Sequence, residues 1–126
     1  MKITLNSSLD MHLHLRDNEM LKVVAPLTAK DFSAAVIMPN LVPPVKTLED
    51  VRNYKKRILE ATKWEKFNPY MTVFFHEELT RENLEELSWE ILSIKLYLLE
   101  LLQILRVEQK IYYQKNQKKF LEICQI

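Results

Sequence analysis

The chain has 126 residues, of which 48% are hydrophobic and 28% charged, a composition typical of one globular domain or of part of a larger one. Its net charge of +1 argues against a nucleic-acid-binding or membrane-surface protein, because such proteins usually carry a strong basic excess. No apolar run reaches membrane-spanning length, and residues 1–6 lack the apolar core of a signal peptide. The single cysteine excludes an intramolecular disulfide. We therefore expect a cytoplasmic protein.

The sequence contains no glycine, whereas average usage of about 7% would give about nine. Tight turns and close approaches of the backbone to a ligand normally use glycine. A glycine-free chain is therefore unusual for an enzyme domain.

Strands and helices alternate along residues 9–97. The predicted strands are Leu9–Leu15, Ser33–Met38, Pro69–Phe75 and Ile91–Tyr97, and the predicted helices are Asn18–Val24, one that Thr47 begins, and Thr80–Trp89. Thr47 and Asp50 form an approximate capping box, and Asp17 or Asn18 caps the first helix. This alternation predicts an α/β fold with a parallel sheet.

Two of the three histidines, His12 and His14, lie two residues apart on the first predicted strand. Alternate side chains of a strand point to the same face, so both imidazoles project together, as a zinc site requires. Arg16 continues this face, and its guanidinium can bind a carboxylate through two hydrogen bonds. The alternative is a chance pair of histidines on a surface strand.

Two further polar residues follow or end predicted strands. Asn40 lies just past the second strand, and Lys95 lies buried late in the fourth, otherwise mostly apolar strand. In a (β/α)₈ barrel the active site forms at the carboxyl ends of the strands. A neutral, buried Lys95 amine can react with CO₂ to give a carbamate that bridges two metal ions. Alternatively, Lys95 extends its ammonium group to solvent at the end of the strand.

The sequence changes character after Tyr97. Residues 98–107 are mostly apolar, and Lys/Gln/Tyr-rich sequence follows through Lys119. This pattern predicts a helix, where a barrel would need a loop. Because Glu108 and Glu122 lie near the lysines at positions 110, 115, 118 and 119, we interpret the later part as a solvated helix face and not as a nucleic-acid-binding patch.

Four separate stretches of the chain resemble dihydroorotase of the shorter bacterial type, a member of the amidohydrolase superfamily. They are residues 10–17 (DMHLHLRD), 35–44 (AVIMPNLVPP), 69–72 (PYMT) and 94–97 (IKLY). The resemblance implies that residues 1–97 form the N-terminal half of a (β/α)₈ TIM barrel, about four βα units. It also implies a metal-dependent hydrolase of a cyclic amide that interconverts N-carbamoyl-L-aspartate and dihydroorotate in pyrimidine biosynthesis.

The resemblance also implies roles for individual residues. His12 and His14 would bind one zinc ion, and carbamylated Lys95 would bridge the two zinc ions of each subunit. Arg16 and Asn40 would hold the carboxylate of the small-molecule substrate. The intact enzyme would be a homodimer.

Part of the family's machinery has no counterpart in this chain. Two further histidine ligands and a catalytic aspartate are expected on later strands, and nothing matches them beyond Tyr97. The remaining histidine, His76, maps to no ligand and is interpreted as a surface residue at the edge of a loop. Asp31 and Asp50 lie on or near helices and are poor candidates for the base. We therefore assign no catalytic residue and expect a truncated, inactive chain.

The tail suggests a cause for this loss. One base restored before plausible codons for residues 98–108 gives Pro-Ala-Gly-Ile-Thr-Thr-Asn, which resembles the family's continuation and supplies glycine. Our hypothesis is that residues 98–126 form a helical tail read out of frame. One alternative is a non-catalytic partner, derived from a dihydroorotase, that docks through its C-terminal helix. Another is a small zinc protein that uses His12, His14 and one other ligand.

Overall fold

The computed structural model describes residues 7–96. Within them the elements are β1 Leu9–Leu13, α1 Asn18–Asp31, β2 Ala34–Ile37, α2 Leu48–Ala61, β3 Asn68–Phe74, α3 Arg81–Leu87 and β4 Ile91–Lys95. This order confirms the predicted alternation of strands and helices. The predicted helical tail, residues 98–126, lies outside the described residues.

The four strands form one parallel sheet in the order β1-β2-β3-β4. Each strand pairs with its neighbour in the chain, with Val36 beside Tyr70 and Phe74 beside Lys95. Because all strands run in the same direction, their carboxyl ends lie along one edge of the sheet, which we call the carboxyl edge. Sequential parallel strands joined by helices are the arrangement of a (β/α) barrel portion, as predicted.

The core lies between the helices and one face of the sheet. It includes Leu15 after β1, Ile37 from β2, Val73 from β3 and Ile58 from α2, which are all fully buried. Alternation along the strands turns residues such as Thr72 towards the opposite face. Thr72 is nevertheless buried, and its Oγ1 donates a hydrogen bond of 2.5 Å to the carbonyl oxygen of Ile37.

The helix starts follow the predicted caps. Asp17 caps α1, and its carboxylate accepts a hydrogen bond from the backbone N–H of Asn18. Thr47 and Asp50 form the predicted capping box of α2, since each side chain accepts a hydrogen bond from the other's backbone N–H.

Helix α1 is longer than predicted. It continues through Pro26 to Asp31, whereas the sequence indicated an end near Val24. Ala25 and Ala29 extend the buried stripe that Leu21 begins, so packing on the core outweighs the hydrogen bond that proline cannot donate. No helix within residues 7–96 meets the length and hydropathy that a membrane span requires.

Strand β1 is less regular than predicted. Its pairing with β2 shifts between Asp10 and Leu13, and the strand ends at Leu13. Leu13 packs against the core, whereas Met11, which lies within this shift, is 63% exposed. His14 therefore lies directly after the strand and not within it.

Candidate active site

The predicted site residues lie along the carboxyl edge of the sheet. His12 is in β1, and His14 and Arg16 follow in the β1–α1 loop. Asn40 lies in the loop after β2, and Lys95 is the last residue of β4. The topology thus brings to one edge residues that are separated by more than half of the chain.

The two histidines of the pair are in direct contact. Their Nε2 atoms are 3.2 Å apart, and the ring centroids are separated by 5.1 Å with the ring planes at 44°. Two imidazole nitrogens, each about 2.0–2.1 Å from one tetrahedral zinc ion, would lie about 3.3–3.4 Å apart. The separation of the two nitrogens, which is also within hydrogen-bond range, therefore matches that of two ligands on a single zinc ion.

His14 lies among basic groups. Burial lowers its pKa below the ordinary value of 6.5, and the positive charges of His12, Arg16 and Lys95 lower it further. The neutral imidazole, which is the form that binds a metal ion, is favoured as a result. These electrostatic effects also indicate that Arg16 and Lys95 lie near the histidine pair.

Lys95 was expected to be buried, but this expectation is wrong: the residue is half-buried. It ends β4, which is an edge strand among residues 7–96, so neighbours cover it on one side only.

Asn40 carries a polar atom that needs a partner. Its Oδ1 atom is buried and has no hydrogen-bond partner within residues 7–96. Buried polar atoms are usually hydrogen-bonded, and the side-chain amide can turn to present either its oxygen or its NH₂ group. Asn40 therefore carries an unsatisfied polar atom in the loop that follows β2.

The third histidine stands apart from the pair. His76 lies in the β3–α3 loop as expected, but it is half-buried and its Nδ1 atom is buried without a hydrogen-bond partner within residues 7–96, so the expected surface position is wrong. In the part of the chain that the structure describes, no three His, Cys, Asp or Glu side chains gather as a metal site. Neither His76 nor a carboxylate there completes the three-ligand set that a mononuclear zinc protein needs.

Two residues of α2 that sequence reasoning missed contact the β1–α1 loop. The Tyr54 hydroxyl donates a 2.7 Å hydrogen bond to the carbonyl oxygen of Arg16, and Arg57 forms a bidentate ion pair with Asp17. A tyrosine on the apolar face of α2 was the available signal, because a buried hydroxyl needs a partner. The sequence did not indicate where that partner lies.

Comparison with known proteins gives a consistent result. No family model matches the chain. A dihydroorotase from Agrobacterium fabrum is 44% identical over 98 residues, which are 75% of this chain and 28% of that protein. A dihydroorotase from Neisseria gonorrhoeae is 47% identical over 90 residues, or 70% of this chain and 26% of the relative. These residues are homologous to dihydroorotase.

Solved dihydroorotase structures agree with this relationship. The enzyme from Campylobacter jejuni superposes with a TM-score of 0.69 at 52% identity, over 77% of this chain and 30% of that structure. The enzyme from Saccharomyces cerevisiae, in complex with 5-fluoroorotic acid, gives a TM-score of 0.66 at 33% identity, over 72% and 25% of the two chains. The predicted resemblance and the half-barrel fold are therefore confirmed. The chain spans about 28% of the length of the curated relatives it matches.

Proposed function

We propose that this chain carries one corner of the active site of a dihydroorotase, which interconverts N-carbamoyl-L-aspartate and dihydroorotate. In this proposal His12 and His14 bind one zinc ion, and carbamylated Lys95 bridges that ion to a second. The observation that carries the proposal is the 3.2 Å separation of the two Nε2 atoms at the carboxyl edge. This separation matches the spacing of two nitrogen ligands on one zinc ion.

Each protein group has a chemical task in this proposal. The neutral imidazoles of His12 and His14 supply lone pairs to the metal, and the lowered pKa of His14 keeps its ring unprotonated near neutral pH. Bound zinc would supply a hydroxide nucleophile near neutral pH and polarise the amide carbonyl of the ring. Carbamylation would convert the positive charge of Lys95 into a negative one, which relieves the excess of basic groups around His14.

Arg16 and Asn40 hold the substrate carboxylate in the proposal. A guanidinium can form two parallel hydrogen bonds to a carboxylate, which sets the orientation of the ring. Asn40 can add a hydrogen bond from its side-chain amide. The complex of the yeast relative with 5-fluoroorotic acid, a small cyclic carboxylate, supports a site of this kind.

We further propose that the 126 residues by themselves are inactive. The resemblance requires two more histidine ligands and a catalytic aspartate, and the sequence after Tyr97 offers no match for them. Out-of-frame reading of residues 98–126 would explain this loss, and the restored frame would supply glycine in this part of the chain. The proposal for the intact enzyme includes a cytoplasmic homodimer.

Two measurements test this proposal. The nucleotide sequence across the codon of Tyr97 tests the frame, since codons that cannot give the family-like continuation contradict it. Dihydroorotate turnover and zinc content are then compared between the 126-residue chain and the longer product of the restored frame. We expect turnover from the restored product alone and its loss in a His12→Ala variant of that product.

Two results would contradict the proposal. Turnover by the 126-residue chain at a rate comparable to the restored product would show that the missing ligands do not matter. A folded, zinc-loaded restored product that does not turn over dihydroorotate would refute the activity itself.

A further inference from the structure

We propose that Tyr54 and Arg57, which we call the α2 anchor, are positioning residues that fix the main chain of Arg16 at the carboxyl edge. This inference rests on the proposed carboxylate-binding role of Arg16. The α2 anchor acts through the β1–α1 loop.

Tyr54 supplies the first contact of the α2 anchor. It is 1% exposed, and its hydroxyl donates a 2.7 Å hydrogen bond to the carbonyl oxygen of Arg16. Burial, together with the nearby carboxylate of Asp17, raises the pKa of Tyr54 well above its usual value of 10.0. The hydroxyl therefore remains a neutral donor throughout the physiological pH range.

Arg57 supplies the second contact, one turn further along α2. Its Nε and Nη2 atoms each donate a 2.9 Å hydrogen bond to a different carboxylate oxygen of Asp17. The guanidinium carbon also lies 5.5 Å from the centroid of the Tyr54 ring, within the range of a cation–π interaction. The two members of the α2 anchor thus support each other as well as the loop.

The loop needs this support because of its backbone conformation. Arg16 and Asn18 have φ angles of 63° and 54°, in the left-handed region that residues with a Cβ atom disfavour. Tyr54 contacts Arg16 itself, and Arg57 contacts Asp17, which lies between Arg16 and Asn18. A relaxed loop would turn the Arg16 side chain away from its place near His14.

The principal test is Tyr54→Phe in the 126-residue chain, which removes one oxygen atom and keeps the ring. NMR reads the sign of the Arg16 φ angle from the intraresidue HN–Hα NOE, and titration with N-carbamoyl-L-aspartate reads the affinity through the Arg16 Nε–Hε signal. We expect loss of the positive φ and a decrease in affinity of about two- to tenfold, the effect of one hydrogen bond. Tyr70→Phe is the matched control, since Tyr70 is 40% exposed and its hydroxyl makes no hydrogen bond within residues 7–96.

Arg57→Met is the second test, and it does not open the core because the Arg57 side chain is 43% exposed. We expect the same two changes, with partial recovery in Arg57→Lys, which keeps the charge opposite Asp17. Arg52→Met is the control on the same helix, because it removes only the ion pair of Arg52 with Glu90. Recovery of the Arg16 φ angle and of the affinity in Arg57→Lys would distinguish positioning of the loop from a general loss of stability.

The outcomes separate this inference from the proposed function. A positive Arg16 φ and unchanged affinity in both Tyr54→Phe and Arg57→Met would overturn the inference and leave the proposed function standing. If the unmodified chain binds no N-carbamoyl-L-aspartate, Arg16 does not bind the carboxylate in the 126-residue chain. In that case the φ angle alone decides whether the α2 anchor positions the loop.

Discussion

If His12 and His14 bind one zinc ion together, the effects of substituting the two residues on zinc affinity should not be additive. The two Nε2 atoms are 3.2 Å apart, within about 0.2 Å of the separation expected for two ligands on one zinc ion. Little rearrangement is needed, so loss of either imidazole should remove most of the affinity. A double-mutant cycle with His12→Ala and His14→Ala should therefore give a coupling energy of about 1 to 3 kcal/mol.

The assay is calorimetric titration of the 126-residue chain with Zn²⁺ at pH 7.5, where His14 is neutral because its pKa is lowered. His76→Ala is the matched control, since His76 joins no group of metal-binding side chains within residues 7–96. We expect this control to bind zinc like the unmodified chain.

Additive effects of His12→Ala and His14→Ala would show that the two rings do not bind one ion. Equal weakening by His76→Ala would indicate binding at unrelated surface histidines. Either result would refute the reasoning from the nitrogen–nitrogen distance.

Two further predictions concern stability. The pKa of His14 is lowered in the folded chain, so the unfolded chain binds the proton more readily just below pH 6.5. The free energy of unfolding should therefore fall as the pH drops below 6.5. Above pH 6.5 it should stay level. Urea unfolding of metal-free protein between pH 5.5 and 7.5 measures this slope, which His14→Gln should reduce. Thr72→Val should lower the free energy of unfolding by about 1 kcal/mol, because it removes a buried hydrogen bond of 2.5 Å to the Ile37 carbonyl.

Controls are available for both. An equally steep slope in His14→Gln would contradict the assignment of the pH dependence to His14. Ser93→Ala is the control for Thr72→Val, because Ser93 is the exposed neighbour of Thr72 in the sheet register. A urea midpoint that moves no more in Thr72→Val than in Ser93→Ala would show that the Thr72 hydroxyl does not stabilise the sheet.

Features that depend on residues close in sequence were predictable. The capping box of Thr47 and Asp50 involves positions three apart, and the His12–His14 pair involves positions two apart. In both cases the local backbone conformation is enough to bring the side chains together. The order of strands and helices was predictable for the same reason, since each element has its own hydrophobic period.

The errors arose where packing overrides a local signal. Pro26 argues for an early end of α1, but burial of Ala25 and Ala29 keeps the helix intact to Asp31. Regular alternation along β1 would place Met11 on the same face as Leu13, but a shift in the pairing of β1 and β2 leaves Met11 exposed. The apolar run around Lys95 predicted a buried residue. Lys95 is half-buried, and β4 is an edge strand in the described region.

The sequence by itself determined the kinship with dihydroorotase and the set of candidate metal- and substrate-binding groups, because motifs are short and their residue types carry the chemistry. Only the tertiary structure shows that Arg16 and Lys95 lie near the histidine pair, and that Tyr54 and Arg57 contact the β1–α1 loop. The hydrogen bond of Tyr54 joins residues that are 38 positions apart in the sequence, and that of Arg57 joins residues that are 40 positions apart. Packing of α1 and α2 on the parallel sheet creates them, and no local pattern encodes such a distance.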